Sequence, residues 1–351
     1  MSDVTLKQIL TETSKFGKLS DKSLNSYISQ LRTIHRLYHN KPRSKDSIEV
    51  SDLAFLKESE PSEIKQILDD NYTNQNSKRN LVNVIINFLQ YFETDGNNHI
   101  KDKLKEYGKI RDDYHANYEE KVQSNQKTQR QKDNWITMDQ YDSLLEKMLE
   151  EIKRHKSWDD PDDSKNFDRV QRYVILKFYR HFNLRNDLHA VKILSKSDYK
   201  NLDEKEKTEN YLIINSAGTP KYILRIYDFK TNRTHEVIDI PIKDRSLSQL
   251  VARWLKYRGK DSTYLFSQLN DRNKPLSSSK LSNIIIGTFE KFLNRRVGSS
   301  LLRHIRISEK YADTIESMKE TAKQSGHDIN TLIEYAKFTD KDKDEKDDKD
   351  D

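Results

Sequence analysis

Residues 298–337, near the C-terminus, contain side chains that could do chemistry on a phosphodiester. The stretch has two arginines, two histidines and a tyrosine: Arg303, Arg306, His304, His327 and Tyr335. A guanidinium offers two parallel donors to phosphate oxygens, and a tyrosine hydroxyl can act as a covalent nucleophile. The residues also fit a plainer interpretation, in which the arginines lie on a solvated helix face, His327 in a loop and Tyr335 in the core.

The spacing of apolar residues predicts that helices carry these side chains. Such residues recur every three to four positions, at Leu302, Ile305, Tyr311, Ile315 and Met318. Gly326 is predicted to end one helix, and Asn330 or Thr331 to cap the next. Side chains from two successive helices would then converge on one site.

The composition is that of a polar but folded chain. The 351 residues suggest two domains, and 33 phenylalanines, tyrosines and tryptophans are enough to form cores. Without cysteine there are no disulfides or thiolate metal sites, and no apolar run approaches a membrane span. We therefore expect a soluble, intracellular protein without a signal peptide, a cofactor or a metal.

The net charge of +6 is unevenly distributed. Residues 340–351 contain eight acids and four lysines, a net charge of −4, so residues 1–339 carry +10. A basic body fits a polyanionic partner such as DNA, although an AT-rich genome would also enrich lysine. Residues 340–351 are predicted to form an acidic, disordered tail.

Residues 1–122 are predicted to form a helical domain. Four amphipathic segments would pack as a small bundle, and they begin near Ser20, Ser51, Pro61 and Ser77. A sparser apolar stripe continues through residues 101–122. Lys78 and Arg79 follow Ser77 directly, where the first amides of a helix could meet a phosphate or simply water.

Residues 123–134 are polar and basic, and are predicted to link this domain to a second one over residues 135–339. Such a linker could also lie along a DNA backbone. Helices of the second domain are predicted over residues 137–152, 167–182, 188–193, 246–257 and 278–293. Three strands, over residues 211–215, 222–229 and 235–242, are expected to pair. The expected fold is mainly α with a small antiparallel β-hairpin or meander.

The order of these features resembles the tyrosine recombinase, or phage-integrase-like, family, and especially its divergent members from DNA viruses and mobile elements. The resemblance covers most of residues 135–337. Residues 1–122 resemble the core-binding domain of the family only in helical character and position.

Two motifs come from the first part of the second domain. Phe182-Asn-Leu-Arg-Asn-Asp187 is similar to the first arginine motif of the family, which makes Arg185 a phosphate-binding residue and Asp187 the candidate acid that orients the site. Tyr227-Asp-Phe-Lys-Thr231 is similar to the strand-borne lysine motif, so Lys230 is the expected general acid. Lys221 and Lys243 are nearby alternatives.

The remaining motifs lie in the C-terminal stretch. Leu302-Arg303-His304 matches the second arginine motif, Gly326-His327 matches the Gly-His motif, and Tyr335 stands at the place of the nucleophile. The sequence departs from the family pattern at Ser300, where the family usually has His or Lys, and in a His327–Tyr335 spacing that is one residue short. His304 or His327 could take over part of the role missing at Ser300, and Tyr311 is the only other tyrosine after Arg303.

The resemblance implies a site-specific recombinase or integrase that cleaves and rejoins double-stranded DNA through a 3′-phosphotyrosine intermediate. It also implies a homotetramer on paired sites, acting without metal. A type IB topoisomerase, a catalytically inactive DNA-binding protein with this fold, and an RNA-binding or structural protein are alternatives. Nucleus, cytoplasmic viral factory and bacterial cytoplasm remain equally compatible sites of action.

Overall fold

The structure, a computed structural model, describes residues 4–13, 19–44, 46–93, 98–123, 125–229, 237–259 and 262–335. The described chain is mainly helical and divides into two compact units, Met1–Gln126 and Lys127–Asp351. The boundary lies inside the segment that was expected to be a linker. Within the described ranges, no helix has both the length and the apolar character needed to cross a membrane.

The first unit is helical, as predicted, and its core lies where α5 and α6 pack against each other. Its helices are α1 (Leu6–Glu12), α2 (Asp21–Tyr38), α3 (Phe55–Glu58), α4 (Pro61–Asn71), α5 (Gln75–Gln90) and α6 (Asn98–Gln123). Phe88 of α5 and Tyr107 of α6 are fully buried in this core.

Local capping explains where these helices begin. The Ser20 side chain accepts a hydrogen bond from Ser23 N and so caps α2, and Pro61 stands in the first turn of α4. α5 begins earlier than predicted because Asn74 is its cap, accepting from Ser77 N at 2.9 Å. The segment at Ser51 forms a single 3₁₀ turn before α3.

The second unit contains the remaining helices. They are α7 (Gln129–Asn134), α8 (Met138–Arg154), α9 (Ser164–His181), α10 (Lys196–Lys200), α11 (Arg245–Tyr257), α12 (Ser278–Leu293), α13 (Ser299–Ser325) and α14 (Ile329–Tyr335). The expected linker is therefore partly helical, because Thr128 and Gln131 form a capping box that begins α7. The predicted capping box of Thr137 and Gln140 begins α8.

The core of the second unit is built from α8, α9, α11 and α12 with the sheet on one side. Its largest fully buried side chains include Trp254, Tyr141, Phe178 and Phe289. The Tyr141 and Phe289 rings meet edge to face at 5.1 Å, and the Tyr141 hydroxyl donates to the Leu176 carbonyl at 2.8 Å. This core fixes the end of α9 and the start of α13, the two places where the predicted arginines lie.

The sheet has four strands and is mixed, so the prediction of a three-stranded antiparallel meander is corrected. Its strands are β1 (Lys192–Ser195), β2 (Tyr211–Ile214), β3 (Tyr222–Ile226) and β4 (Ile238–Pro241), in that order. β1 runs parallel to β2, whereas the other two pairs are antiparallel.

The prediction of a helix over residues 188–193 was wrong. A 3₁₀ turn, Asp187–Ala190, leads directly into β1. β1 pairs with β2 on one edge, and its other edge is paired with the segment near Tyr264. There Ile193 N donates to Thr263 O at 2.9 Å, and Leu265 N donates to Val191 O at 2.7 Å. A short apolar run takes its conformation from such partners rather than from its own period.

Candidate functional site

Arg185 lies in the loop that follows α9. Phe182 ends the helix in an extended conformation, and residues 183–185 then lead without helix or strand to a bend at Asn186. The buried hydroxyl of Tyr179 donates to the Arg185 carbonyl, and the Arg185 amide donates to the Asp187 carboxylate at 2.9 Å. The backbone of Arg185 is therefore held from both sides.

Arg303 lies in the second turn of α13. Leu302 and Ile305 beside it are 1% and 2% exposed, so this end of the helix is anchored in the core. Arg303 itself is only half-buried. The apolar spacing predicted from the sequence is thus confirmed at these two positions, and it leaves the guanidinium of Arg303 free to face a pocket.

Arg185 and Arg303 line the same pocket, which has a volume of about 410 Å³. Asp187 lines it too, and the other walls are largely apolar, formed by Asn183, Leu184, Ile226, Phe229, Ile238 and Ile240. Two guanidiniums beside one carboxylate leave a net positive charge. A phosphate oxygen entering this pocket would find two charged donors in a partly desolvated setting, where such bonds are strong.

The charges in the pocket affect one another. Burial raises the pKa of Asp187, an effect that the Arg185 amide and the charges of Arg185, His189 and Arg303 partly offset. Burial and the neighbouring charge of Arg185 lower the pKa of Arg303, against the attraction of Asp187. The two guanidiniums are thus close enough to repel each other, and a dianionic or monoanionic ligand would relieve that repulsion.

Lys230, the predicted general acid, lies outside the described residues. Phe229 and Ile238, which stand on either side of residues 230–236, both line the pocket. The alternatives Lys221 and Lys243 lie at the other end of β3 and β4. Lys221 is five residues before the pocket residue Ile226, about 17 Å along the strand, and Lys243 is three residues after the pocket residue Ile240, about 10 Å. Of the three candidates, Lys230 is therefore the one that follows a residue of the pocket directly.

His327 and Tyr335 lie together at the far end of α13. Gly326 ends that helix, as predicted, with a positive φ of 70°. The His327 and Tyr335 rings stack with centroids 5.3 Å apart, and Tyr335 is 66% exposed, so it is not a core residue. The cap of α14 is Asp328, which accepts from Thr331 N at 2.9 Å, rather than Asn330 or Thr331.

The structure does not bring Tyr335 to the two arginines within one chain. From Arg303 to Ser325 the helix is continuous, and its 22 steps span about 33 Å. Even if the seven residues of α14 ran straight back along α13, they would recover only about 10 Å. A nucleophile must approach phosphorus to roughly 3 Å, so this arrangement leaves the predicted site in two parts.

The other chemical residues of the stretch have plainer positions. Arg306 is structural, since its guanidinium donates to the carbonyls of Tyr179 (3.2 Å) and His181 (2.9 Å) at the end of α9. His304 and Ser300 are exposed on the first turns of α13. His304 is not among the residues that line the pocket. Ser300 does not supply the basic side chain that the family usually carries at this place.

In the first unit, Lys78 is not available to a phosphate. It is 6% exposed, and its ammonium binds the Asp69 carboxylate at 2.6 Å. Tyr114 also donates to Asp69, at 2.9 Å. Arg79 lies over the Tyr118 ring and contacts the His115 ring nitrogen at 2.9 Å. Lys78 therefore meets neither a phosphate nor water, as the two alternatives had it, but a half-buried carboxylate.

Sequence reasoning missed the polar residues that hold the arginine loop, Asn186, Asn210 and Ser299. Asn210 belongs to none of the motifs. It precedes a strand, and an asparagine at such a place is an ordinary turn residue. Only its burial, at 4% exposure, marks it as unusual.

Among the described residues, no three His, Cys, Asp or Glu side chains lie close enough to hold a metal ion. No family model, curated protein or solved structure matches the chain.

Proposed function

We propose that this chain is a site-specific DNA recombinase or integrase of the tyrosine recombinase type. The observation that carries the proposal is the shared pocket of Arg185 and Arg303, together with a tyrosine, Tyr335, that is exposed and stacked on a histidine. Two fixed cations in a partly buried pocket suit the charge that develops on a phosphodiester during substitution.

In the proposed reaction the Tyr335 oxygen forms a bond to phosphorus while the bond from phosphorus to the 5′-oxygen breaks. Arg185 and Arg303 hold the non-bridging oxygens and stabilise their growing charge. Lys230 donates a proton to the leaving 5′-oxygen. The proton of the Tyr335 hydroxyl passes to His327 or, where His327 instead binds a phosphate oxygen, to water. The phosphotyrosine keeps the bond energy, so the hydroxyl of a second strand can reverse the step without a metal or ATP.

The two parts of the site are proposed to meet between copies of the chain. Residues 307–335, which we call the arm, contain six acidic and three basic residues, a net charge of −3. Residues 127–306 contain 36 basic and 24 acidic residues, a net charge of +12. An acidic arm with exposed Ile333 and Tyr335 suits the basic body of a second copy, and this supports the proposed tetramer on paired sites.

Double-stranded DNA is the proposed partner of the basic body. Binding should weaken steeply with salt, because each phosphate contact releases condensed counterions. This dependence distinguishes a backbone-binding protein from one that reads only base edges, and it can be measured on any duplex that the protein binds.

The test is covalent capture on nicked duplexes. A pool of nicked DNA with randomised flanks, incubated with the protein in EDTA, would be separated under denaturing conditions and the adducts sequenced. We expect an adduct from the wild type and from Tyr311→Phe, the matched exposed tyrosine of the same arm, but none from Tyr335→Phe. An adduct from Tyr335→Phe would move the nucleophile to another residue, and no adduct from any protein would refute cleavage.

One observation favours a second candidate, an inactive DNA-binding protein that keeps the fold. The separation of about 33 Å between the arginine pocket and the end of α13, with Ser300 in place of a basic residue, is what a chain without catalysis could tolerate. Tight, salt-dependent binding of recovered sites without any adduct would support it. A type IB topoisomerase fits the separation less well, because such an enzyme works as a monomer.

A further inference from the structure

We propose that Asn186 and Ser299 act as a positioning pair that sets the spacing between the guanidiniums of Arg185 and Arg303. The inference rests on the proposed function, since it assigns these residues a part in holding one phosphate. Neither touches the reacting atoms in the proposed mechanism. Asn186 acts through Arg185, its neighbour in the chain, and Ser299 acts through Arg303, which lies one helical turn further along α13.

The pair joins the loop of one arginine to the helix of the other. Ser299 Oγ donates to Asn186 Oδ1 at 2.8 Å. Asn186 follows Arg185 directly, while Ser299 begins α13 one turn before Arg303 and is only 9% exposed. Asn186 Nδ2 also lies 3.3 Å from Ser278 Oγ and 3.4 Å from the Ser278 carbonyl, in the first turn of α12.

A second asparagine holds the same loop from the other side. Asn210 Nδ2 donates to the carbonyls of Asp187 and Asp228, both at 3.1 Å. Its Oδ1 accepts from the amides of Tyr227 and Asp228 at 2.9 and 2.7 Å. All the hydrogen-bonding positions of this buried amide are therefore used. With Asn210 intact, loss of the Asn186–Ser299 bond should shift the loop without unfolding it.

Repulsion between the arginines gives the pair its physical task. The charge of Arg185 is one of the causes that lower the pKa of Arg303, so the two guanidiniums favour moving apart when no anion lies between them. A tie between the loop and the helix resists that movement. A phosphate then meets two donors already in place and does not have to draw them together.

Single-turnover cleavage at saturating DNA tests the pair, using Asn186→Ala, Ser299→Ala and the double variant. Ser279→Ala, an exposed serine beside Ser278, is the matched control. We expect each single variant to cleave about 100-fold more slowly, because a misplacement of about 1 Å costs that much. The Kd for the same duplex should change less than about threefold, because many other phosphate contacts remain.

The double variant decides whether the two residues act as one unit. We expect it to be about as slow as Asn186→Ala, since that variant already loses the bond to Ser299 together with the contacts to Ser278. Three outcomes would each overturn the proposal. The losses of the single variants could add up in the double variant, or the cleavage rates could be unchanged. The cleavage rate could also fall together with the DNA affinity and the melting temperature.

A readout without cleavage separates this inference from the proposed function. Inorganic phosphate would be titrated while the side-chain Nε–H signals of Arg185 and Arg303 are followed by NMR. In the wild type both signals should shift along one binding curve, and in Ser299→Ala the affinity should fall at least about fivefold. If the wild type never cleaves DNA, the proposed function fails, and this titration alone decides the pair: an unchanged affinity refutes it.

Discussion

Mixing two inactive variants should restore strand cleavage, because the arginine pocket and Tyr335 lie too far apart to meet within one chain. The variants are Arg303→Ala, which keeps the tyrosine, and Tyr335→Phe, which keeps the pocket. Within a fixed short reaction time each alone should give no measurable covalent adduct, because Arg303→Ala is slowed about 100- to 1000-fold and Tyr335→Phe lacks the nucleophile. Together they can form a complete site wherever an intact arm reaches an intact pocket of another copy.

The expected magnitude follows from the geometry and from chance. The continuous helix α13 separates Arg303 from Ser325 by about 33 Å, so we assign every pocket its tyrosine from another copy. In an equal mixture half of the pockets and half of the arms are intact, so about one quarter of the sites are complete under random symmetric assembly. The mixture should therefore form adduct at about one quarter of the wild-type level.

The assay is adduct formation on a nicked duplex recovered from the capture experiment, at fixed total protein. The control is a mixture of Tyr335→Phe with the double variant Arg303→Ala/Tyr335→Phe, in which no copy has a tyrosine at position 335. An inactive mixture of two folded variants would refute the reasoning, since it would mean that the arm closes on its own pocket. Cleavage by Tyr335→Phe alone would show that another nucleophile operates.

Three further outcomes are expected. Burial raises the pKa of Asp69, but bonds from Lys65, Lys78 and Tyr114 outweigh it and bring the pKa to about 2. Because this folded-state pKa lies below the ordinary one, its stabilisation is present above about pH 4 and is lost as the pH falls towards 2. Asp69→Asn should therefore cost about 1–2 kcal/mol at pH 7, after discounting for solvent screening, and little near pH 2, as urea unfolding would show. Gly326→Ala should destabilise the turn by about 1 kcal/mol, because its φ of 70° disfavours a side chain, and hydrogen exchange should speed up in α14 but not in α9. Arg185→Ala should lower the single-turnover cleavage rate about 100- to 1000-fold, and a loss below tenfold would remove it from the site.

Some parts of the molecule could be predicted because they depend on neighbours in sequence. The bounds of α12, the capping box of α8 and the end of α13 at Gly326 follow from caps, glycine and the period of apolar residues. The length of α13 could also be predicted from the sequence. A helix that continues from Arg303 to Gly326 has a fixed rise per residue, so the sequence already implied the separation that the motif comparison overlooked.

What the tertiary structure decided depends on partners distant in the chain. β1 is a strand only because β2 and the segment near Tyr264 supply its hydrogen bonds, and no local pattern encodes a parallel partner. The amide of Asn210 and the hydroxyl of Ser299 gain their importance from the backbone groups that folding delivers to them. The sequence by itself determined which residues are candidates for the chemistry and, through the length of α13, how far the end of that helix lies from Arg303; packing decided that Arg185 and Arg303 share a pocket.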